Sequence, residues 1–386
     1  MLEKILLSTD IGSDIDDALA LLTIFNSKIN LDGIYTVNGN VIARSYISKH
    51  LVDLAEKKIE VGIGEAKPLE GGIKPYTYFE EYYVDKKFID KEKTKFSKEI
   101  IFKSPQEVGI KDNGLKRMAE KLTKSPKIIF SIGPMTNIAK LIIKYPETIK
   151  NIKRLYIMGC RFSKENTLEH NVRFDIPAAK TIFEADIPTT VIPGDLCSRY
   201  RMPIKQLYKL ESKAGKYVKK MAMSFLAIKT IEEIKRSGIE DLLKKYAKLD
   251  SNYIKNELNK KKLIKNYEKL DKLIMNLDDY FYGIFNPKEY FNQYHELISH
   301  LKNPKLNYSR GNIFANILET TITKDISIAD VYVPYCFLYP EKIKIEKANI
   351  SINPFGYSRK KKGNKNSIVT NLDFQDFKKF LSKYLK

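Results

Sequence analysis

Five short, nearly continuous runs of Ile, Leu, Val and Phe recur at residues 4–10, 31–37, 127–132, 152–158 and 189–193. Stretches with helical spacing lie between them, for example 17–26, 43–57 and 136–144. Unbroken apolar runs separated by helices read as strands buried on both faces, that is, as βαβ units on a parallel sheet. The pattern therefore predicts an α/β fold with a mostly parallel central sheet and helices on both faces. Ligands of such sheets collect beyond the carboxyl ends of the strands.

From about 200 to 324 the chain changes character. Segments such as 217–234 and 263–282 keep helical periodicity with dense lysine and no evident strand, which predicts a helical insertion. The tail returns to mixed character, with strands expected at 342–352 and 367–372 and a helix at 374–385. Residues 72–110, rich in Tyr, Phe and Lys, read as a long loop or a pair of short elements. The expectation is one domain, with core 1–199 and 325–386 interrupted by the insertion at about 200–324.

Composition supports a sizeable core: of 386 residues, 43% are hydrophobic and 30% charged, which excludes a mostly disordered chain. No apolar run approaches the ~20 residues of a membrane span, and the N-terminus turns polar too soon for a secretory signal. The net charge of +21 is mostly lysine dispersed along the chain, clustered only at Lys260–Lys262 and Arg359–Lys362. Arginine, which reads phosphate and guanine bidentately, is scarce, so the basic residues read as solvated surface and no nucleic-acid or membrane partner is expected. Cys160, Cys197 and Cys336 lack metal-ligand spacing and suit a reducing cytoplasm.

The segment Ser8-Thr-Asp10-Ile-Gly-Ser-Asp14-Ile-Asp16-Asp17-Ala-Leu-Ala-Leu21 places four carboxylates where the first strand gives way to the first helix. Helix capping by Ser13, Asp14 or Asp16 is one reading. Capping needs one or two carboxylates, however, and four this close repel unless a cation or shared protons offset them. Capping and metal binding both stand on the segment alone. An EF-hand loop starting at Asp10 fails, because Ile15 and Leu21 occupy the positions for its Gly and Glu. A phosphate-binding loop is absent. An all-oxygen cluster favours a hard cation, Ca²⁺ first and Mg²⁺ second.

The same segment is similar to the N-terminal signature of the inosine-uridine-preferring nucleoside hydrolase family, in a form with two extra residues before Asp16-Asp17. Further segments resemble the family in order: Thr36-Val-Asn-Gly-Asn40; Gly64-Glu-Ala-Lys-Pro-Leu69; Ser131-Ile-Gly-Pro-Met-Thr-Asn-Ile-Ala139; Tyr156-Ile-Met-Gly159 with Glu169-His-Asn171 and Asp175-Ile-Pro-Ala-Ala179; and Ala329-Asp330 before Phe337-Leu-Tyr-Pro-Glu341.

The resemblance implies a Ca²⁺ ion held by Asp10, Asp17, the carbonyl of Ile132 and Asp330, with a water and two ribose hydroxyls completing its shell. Asp10 would act as general base on the metal-bound water. Asp16, Asn40, Glu169 and Asn171 match ribose-contacting positions, and Met158 a residue lining the sugar site. Asp10, Asn40, Ile132, Met158 and the Gly194-Asp195 turn all fall at or after predicted strand ends, so one sheet edge would gather them. The implied protein is a cytoplasmic, homo-oligomeric (dimer or tetramer) N-ribohydrolase that converts a small-molecule nucleoside to ribose and free base.

Two departures bear on activity. Ser8 stands where the family usually has an Asp. Ala329 stands where many members carry a His beside the last Asp ligand, and alanine donates no proton. A non-catalytic, Ca²⁺-dependent ribose or nucleoside binder is the alternative reading. With no Trp in the chain, Tyr76, Tyr78, Phe79, Tyr82 and Tyr83 are the candidates for stacking on the base.

Overall fold

Each of the five apolar runs forms a strand in a computed structural model, which describes residues 3–69, 84, 86–88, 90, 102–163, 168–222, 225 and 325–386. The strands are β1 (Lys4–Thr9), β2 (Asn30–Thr36), β4 (Lys127–Ser131), β5 (Ile152–Met158) and β6 (Thr189–Ile192). A three-residue strand that the pattern does not predict, β3 (Glu60–Gly62), extends one side of the sheet. On the other side lies a long hairpin, β7 (Ile343–Ile352) and β8 (Ser358–Leu372). The order is β3-β2-β1-β4-β5-β6-β8-β7. Every pairing is parallel except β7 against β8.

β4 and β6 are buried along their whole length, as expected of strands covered on both faces. The covering helices include α1 (Asp16–Phe25), α2 (Val41–Leu54), α3 (Gly114–Lys124), α4 (Thr136–Lys144), α5 (His170–Phe174), α6 (Ile176–Glu184), α7 (Gly194–Cys197), α8 (Tyr332–Leu338) and α9 (Phe374–Tyr384). α1 is buried at every position, so its apolar residues pack on all sides and the two acids of its first turn are carried inside with them. One continuous apolar cluster joins α3, α4 and α6 to the sheet through Leu115, Met118, Ile138, Leu155, Ile182 and Val191.

Polar links fix how the strand ends splay. Asn137, fully buried at the start of α4, donates to the Ser8 hydroxyl at 3.0 Å and to the Thr36 carbonyl at 3.1 Å, and accepts from Glu65 N at 2.9 Å. Ser8 is thereby a neutral hydrogen-bond acceptor within the sheet. Asp175 caps α6 through Ala178 N and also accepts from the Thr136 hydroxyl and from Leu69 N.

The chain divides into two compact units: 1–88, 103–219 and 327–386 in the first, 89–102 and 220–326 in the second. Residues 200–219 belong with the sheet. Most of the expected insertion lies outside the described residues, as do Lys260–Lys262 and the five stacking candidates of the aromatic loop. Among the described residues, no helix is long and apolar enough to cross a membrane. Arg359–Lys362 are exposed on β8.

Candidate active site

β1 ends at Thr9, and the chain turns through Asp10–Ile15 before α1 begins at Asp16. The cap position of α1 is Ile15, whose side chain makes no capping hydrogen bond. Asp16 and Asp17 therefore open the helix without serving as its N-cap. Their charge is compatible with the helix dipole, but burial among other acids opposes it. Asp330 arrives from the far end of the chain, on a single 3₁₀ turn at Ala329–Val331. The carboxylate oxygens of Asp16, Asp17 and Asp330 lie within 4.8 Å of one another.

Asp10 lines the same cavity, which has a volume of about 360 Å³. Asp10, Asp16, Asp17, Ile132, Met158, Glu169, Asn171 and Asp330 all line it. Eight of the nine sequence-predicted site residues thus share one cavity. The ninth, Asn40, does not line it. It stands after β2, and its side-chain oxygen caps α2 through Ala43 N at 3.0 Å.

Backbone geometry brings Asp10 close to the end of β4. A Cβ at Gly133 would fall 2.6 Å from Asp10 Oδ1 and 2.8 Å from its amide nitrogen, so only glycine fits there. Asp17 accepts a hydrogen bond of 2.5 Å from the Thr9 hydroxyl. Glu169 caps α5, accepting from Asn171 N and Val172 N at 3.0 Å each, and takes a further bond from Cys160 N. Asn171 donates its side-chain amide to the carbonyls of Ile132 (3.0 Å) and Met158 (3.1 Å).

The electrostatics describe a site strained by its own charge. Burial pushes Asp17 and Asp330 well above the usual carboxylate range, and the neighbouring carboxylates push them further. Asp16 is pushed up to about 8 by burial, with Asp14 adding to the effect. Asp10 is also raised by burial, against the opposing pull of Arg44 and His170. Glu169 is raised by burial despite its three N–H donors. Like charges gathered out of water hold protons, or a cation, to remain together.

Some participants carry no signal that the sequence reading used. Arg44, fully buried in α2, donates to the carbonyls of Asp10, Ile11 (2.9 Å) and Asn38 (2.6 Å) and to the Ser13 hydroxyl (2.7 Å). It ties the acidic turn to the loop after β2. Arg161, His170 and Arg201 also line the cavity. The available hint was Arg161, three residues past the end of β5 in an arginine-poor chain. The backbone of Ala329 slightly opposes the upward push on Asp16, and the side chain next to Asp330 is only a methyl group.

The sequence and the fold were also compared with those of known proteins. The profile of the family described as inosine-uridine preferring nucleoside hydrolase matches residues 5–379. The chain is 29% identical over 214 residues to the non-specific ribonucleoside hydrolase RihC of Salmonella paratyphi A, a match covering 53% of this chain and 66% of that protein. The corresponding protein of Salmonella agona is 28% identical, with 65% of its length covered. The chain thus spans just under two thirds of the length of these curated relatives. Its fold is similar to that of the purine-preferring ribonucleoside hydrolase from Gardnerella vaginalis, with a TM-score of 0.61, 17% identity and coverage of 99% of this chain and 98% of that one. The inosine-uridine preferring nucleoside hydrolase from Bacillus anthracis gives a TM-score of 0.57 at 13% identity, covering 100% and 99% of the two chains.

Proposed function

The chain belongs to the inosine-uridine preferring nucleoside hydrolase family, and on that premise we propose that it hydrolyses the N-glycosidic bond of a ribonucleoside to ribose and free base. The observation that carries this reading is the convergence of Asp16 and Asp17 with Asp330, from opposite ends of the chain, beside Asp10 in one cavity.

The donor set fits a hard divalent cation: every candidate ligand atom is oxygen, the carboxylates are buried, and their mutual repulsion favours a dication. Calcium is the proposed ion. Asp17 and Asp330 are its anchoring ligands, with Asp10 and the Ile132 carbonyl as the further donors that the family resemblance implies. Asp16 lies within the same carboxylate set and is proposed to reach the ribose diol. When bound, the cation supplies positive charge that acidifies a water at the sugar.

The chain's own residues do the rest. Asp10 takes the proton of the attacking water as general base. Asn171 and Met158 wall the sugar, and Glu169 adds negative charge where the sugar gains oxocarbenium character. Asn40 is the ribose-contact position that the cavity does not include, and its proposed contact requires the cap on α2 to open. With Ala329 unable to protonate the departing base, His170 is the imidazole that lines the cavity and the proposed donor. A cytoplasmic homo-oligomer is the proposed setting.

The test is release of free base from a panel of purine and pyrimidine ribonucleosides, followed by reversed-phase chromatography. The expected result is release with Ca²⁺ that is abolished by EDTA. No release from any nucleoside by the calcium-loaded protein would overturn the catalytic reading. It would favour the second one, a ribose- or nucleoside-binding protein, which the methyl group of Ala329 at the leaving-group side supports. Calorimetric binding without turnover would select it.

A further inference from the structure

The cavity carries charge of both signs. Besides the carboxylates, two arginines, Arg161 and Arg201, line it. Arg161 lies just beyond β5, and its buried Nε has no hydrogen-bond partner among the described residues. The surroundings account for this. The guanidinium rests against bare backbone, since a Cβ on Gly194 would come within 3.3 Å of its Nη2 and 3.6 Å of its Nε. The adjacent acid, Asp195, accepts from the backbone N–H groups of Phe162 and Ser163 at 2.5 and 3.2 Å. A buried guanidinium N–H without an acceptor is unfavourable, and a ligand oxygen relieves it. Guanidinium geometry matches the oxygens of a phosphate, which it holds bidentately.

We propose that the cavity takes an anionic riboside, a ribonucleoside 5′-monophosphate, with Arg161 and Arg201 binding the phosphate. This rests on the hydrolase reading and names its substrate class. In that reading the anomeric carbon and the diol of the sugar face the carboxylate side. The 5′ carbon is then the part of the ribose free to carry a substituent toward the arginines. Arg161 is three residues beyond Met158, so their Cα atoms are no more than about 11 Å apart, a gap an extended arginine and a phosphate ester together span. In the reaction, the water oxygen bonds to C1′ and the C1′–N bond breaks. Its electron pair stays on the base nitrogen, which takes up a proton, and the phosphate ester is untouched. The products are ribose 5-phosphate and free base.

Two measurements on the full chain with Ca²⁺ test this. Calorimetry compares ribose 5-phosphate with ribose. Turnover compares inosine 5′-monophosphate, inosine and orotidine, the last carrying its anionic group on the base. Ribose 5-phosphate is expected to bind at least tenfold tighter than ribose, and the monophosphate to exceed inosine at least tenfold in kcat/KM. Arg161→Gln and, separately, Arg201→Gln should each reduce both ratios toward one, with Arg161→Lys keeping part of the preference. Equal binding of the two sugars, ratios unchanged in both Gln variants, or preference for orotidine over the monophosphate would each overturn the assignment. If no compound is hydrolysed, the hydrolase reading fails, and the ratio of the two sugar affinities still decides the phosphate site.

Discussion

The side-chain amide of Asn171 donates a 3.0 Å hydrogen bond to the main-chain carbonyl of Ile132, 39 residues earlier in the chain. A second bond from the same nitrogen reaches the carbonyl of Met158 at 3.1 Å. One amide thus ties together the chain at the ends of β4 and β5 and holds the Ile132 carbonyl, a proposed cation donor, by a hydrogen bond. Asn171→Asp removes the donor and sets a carboxylate against two carbonyl oxygens. We expect cation affinity to fall about 10- to 100-fold, measured by calorimetry with Ca²⁺. An unchanged affinity would show that the Ile132 carbonyl needs no such support.

Protons and a cation compete for the aspartate cluster, which gives stability a definite pH dependence. Burial raises Asp16 in the fold from the ordinary 3.8 to about 8. The native state therefore binds more protons than the unfolded chain between those values, and stability must fall as pH rises through that window. In EDTA, the melting temperature is expected to decline from about pH 4 to about pH 8, and Asp16→Asn should flatten the decline. With saturating Ca²⁺, which binds only the folded cluster, the stabilisation over EDTA should grow with pH. Its binding at pH 7 should release protons, visible as a buffer-dependent enthalpy. A melting temperature in EDTA that rises across the window would contradict the argument.

The sheet and the acidic turn were legible because each is written locally. A run such as Lys-Ile-Ile-Phe-Ser at β4 is buried whichever way it faces, and four acids in eight residues carry their repulsion in the sequence itself. Other features depend on distant partners. Glu60–Gly62 is three residues long and is a strand only because β2 lies beside it. Arg359–Lys362 read as solvated charge and are exposed, yet they lie within β8, where Arg359, Lys360 and Lys361 pair with Ser351, Ile350 and Asn349 of β7. At the site, adjacent residues Asp16 and Asp17 point about 100° apart around a helix. Their closeness to Asp330 follows from where the 3₁₀ turn at Ala329–Val331 docks, which spacing along the chain does not encode. Asn40 is the complementary case: the resemblance assigns it to ribose, whereas its side-chain oxygen accepts from Ala43 N at the start of α2, a role set by the local helix start.

Arg44 shows the same limit from the side of stability. In sequence it is one polar residue near the start of a helix. In the fold its guanidinium satisfies carbonyls of Asp10, Ile11 and Asn38 and the Ser13 hydroxyl with full burial. Arg44→Met strands those acceptors in an apolar setting and removes the positive charge nearest Asp10. A loss of about 3–5 kcal/mol in urea denaturation is expected. Arg44→Lys should recover only part of it, because a single ammonium cannot reproduce the fork. A loss below about 1 kcal/mol for the Met variant would mean that the acidic turn holds its shape unaided.

His170 lines the cavity next to Glu169 and Asn171, its ring 4.4 Å from that of Phe174. If it protonates the departing base, its value must depend on how much the base needs a proton. A purine nitrogen leaves poorly without one, whereas p-nitrophenolate leaves unaided. His170→Gln should lower kcat for inosine by about 10²- to 10⁴-fold and for p-nitrophenyl riboside by far less. Equal losses on the two substrates would show that the imidazole only positions the sugar. Departure of the base would then have to proceed without a proton from this side chain, since Ala329 has none to give.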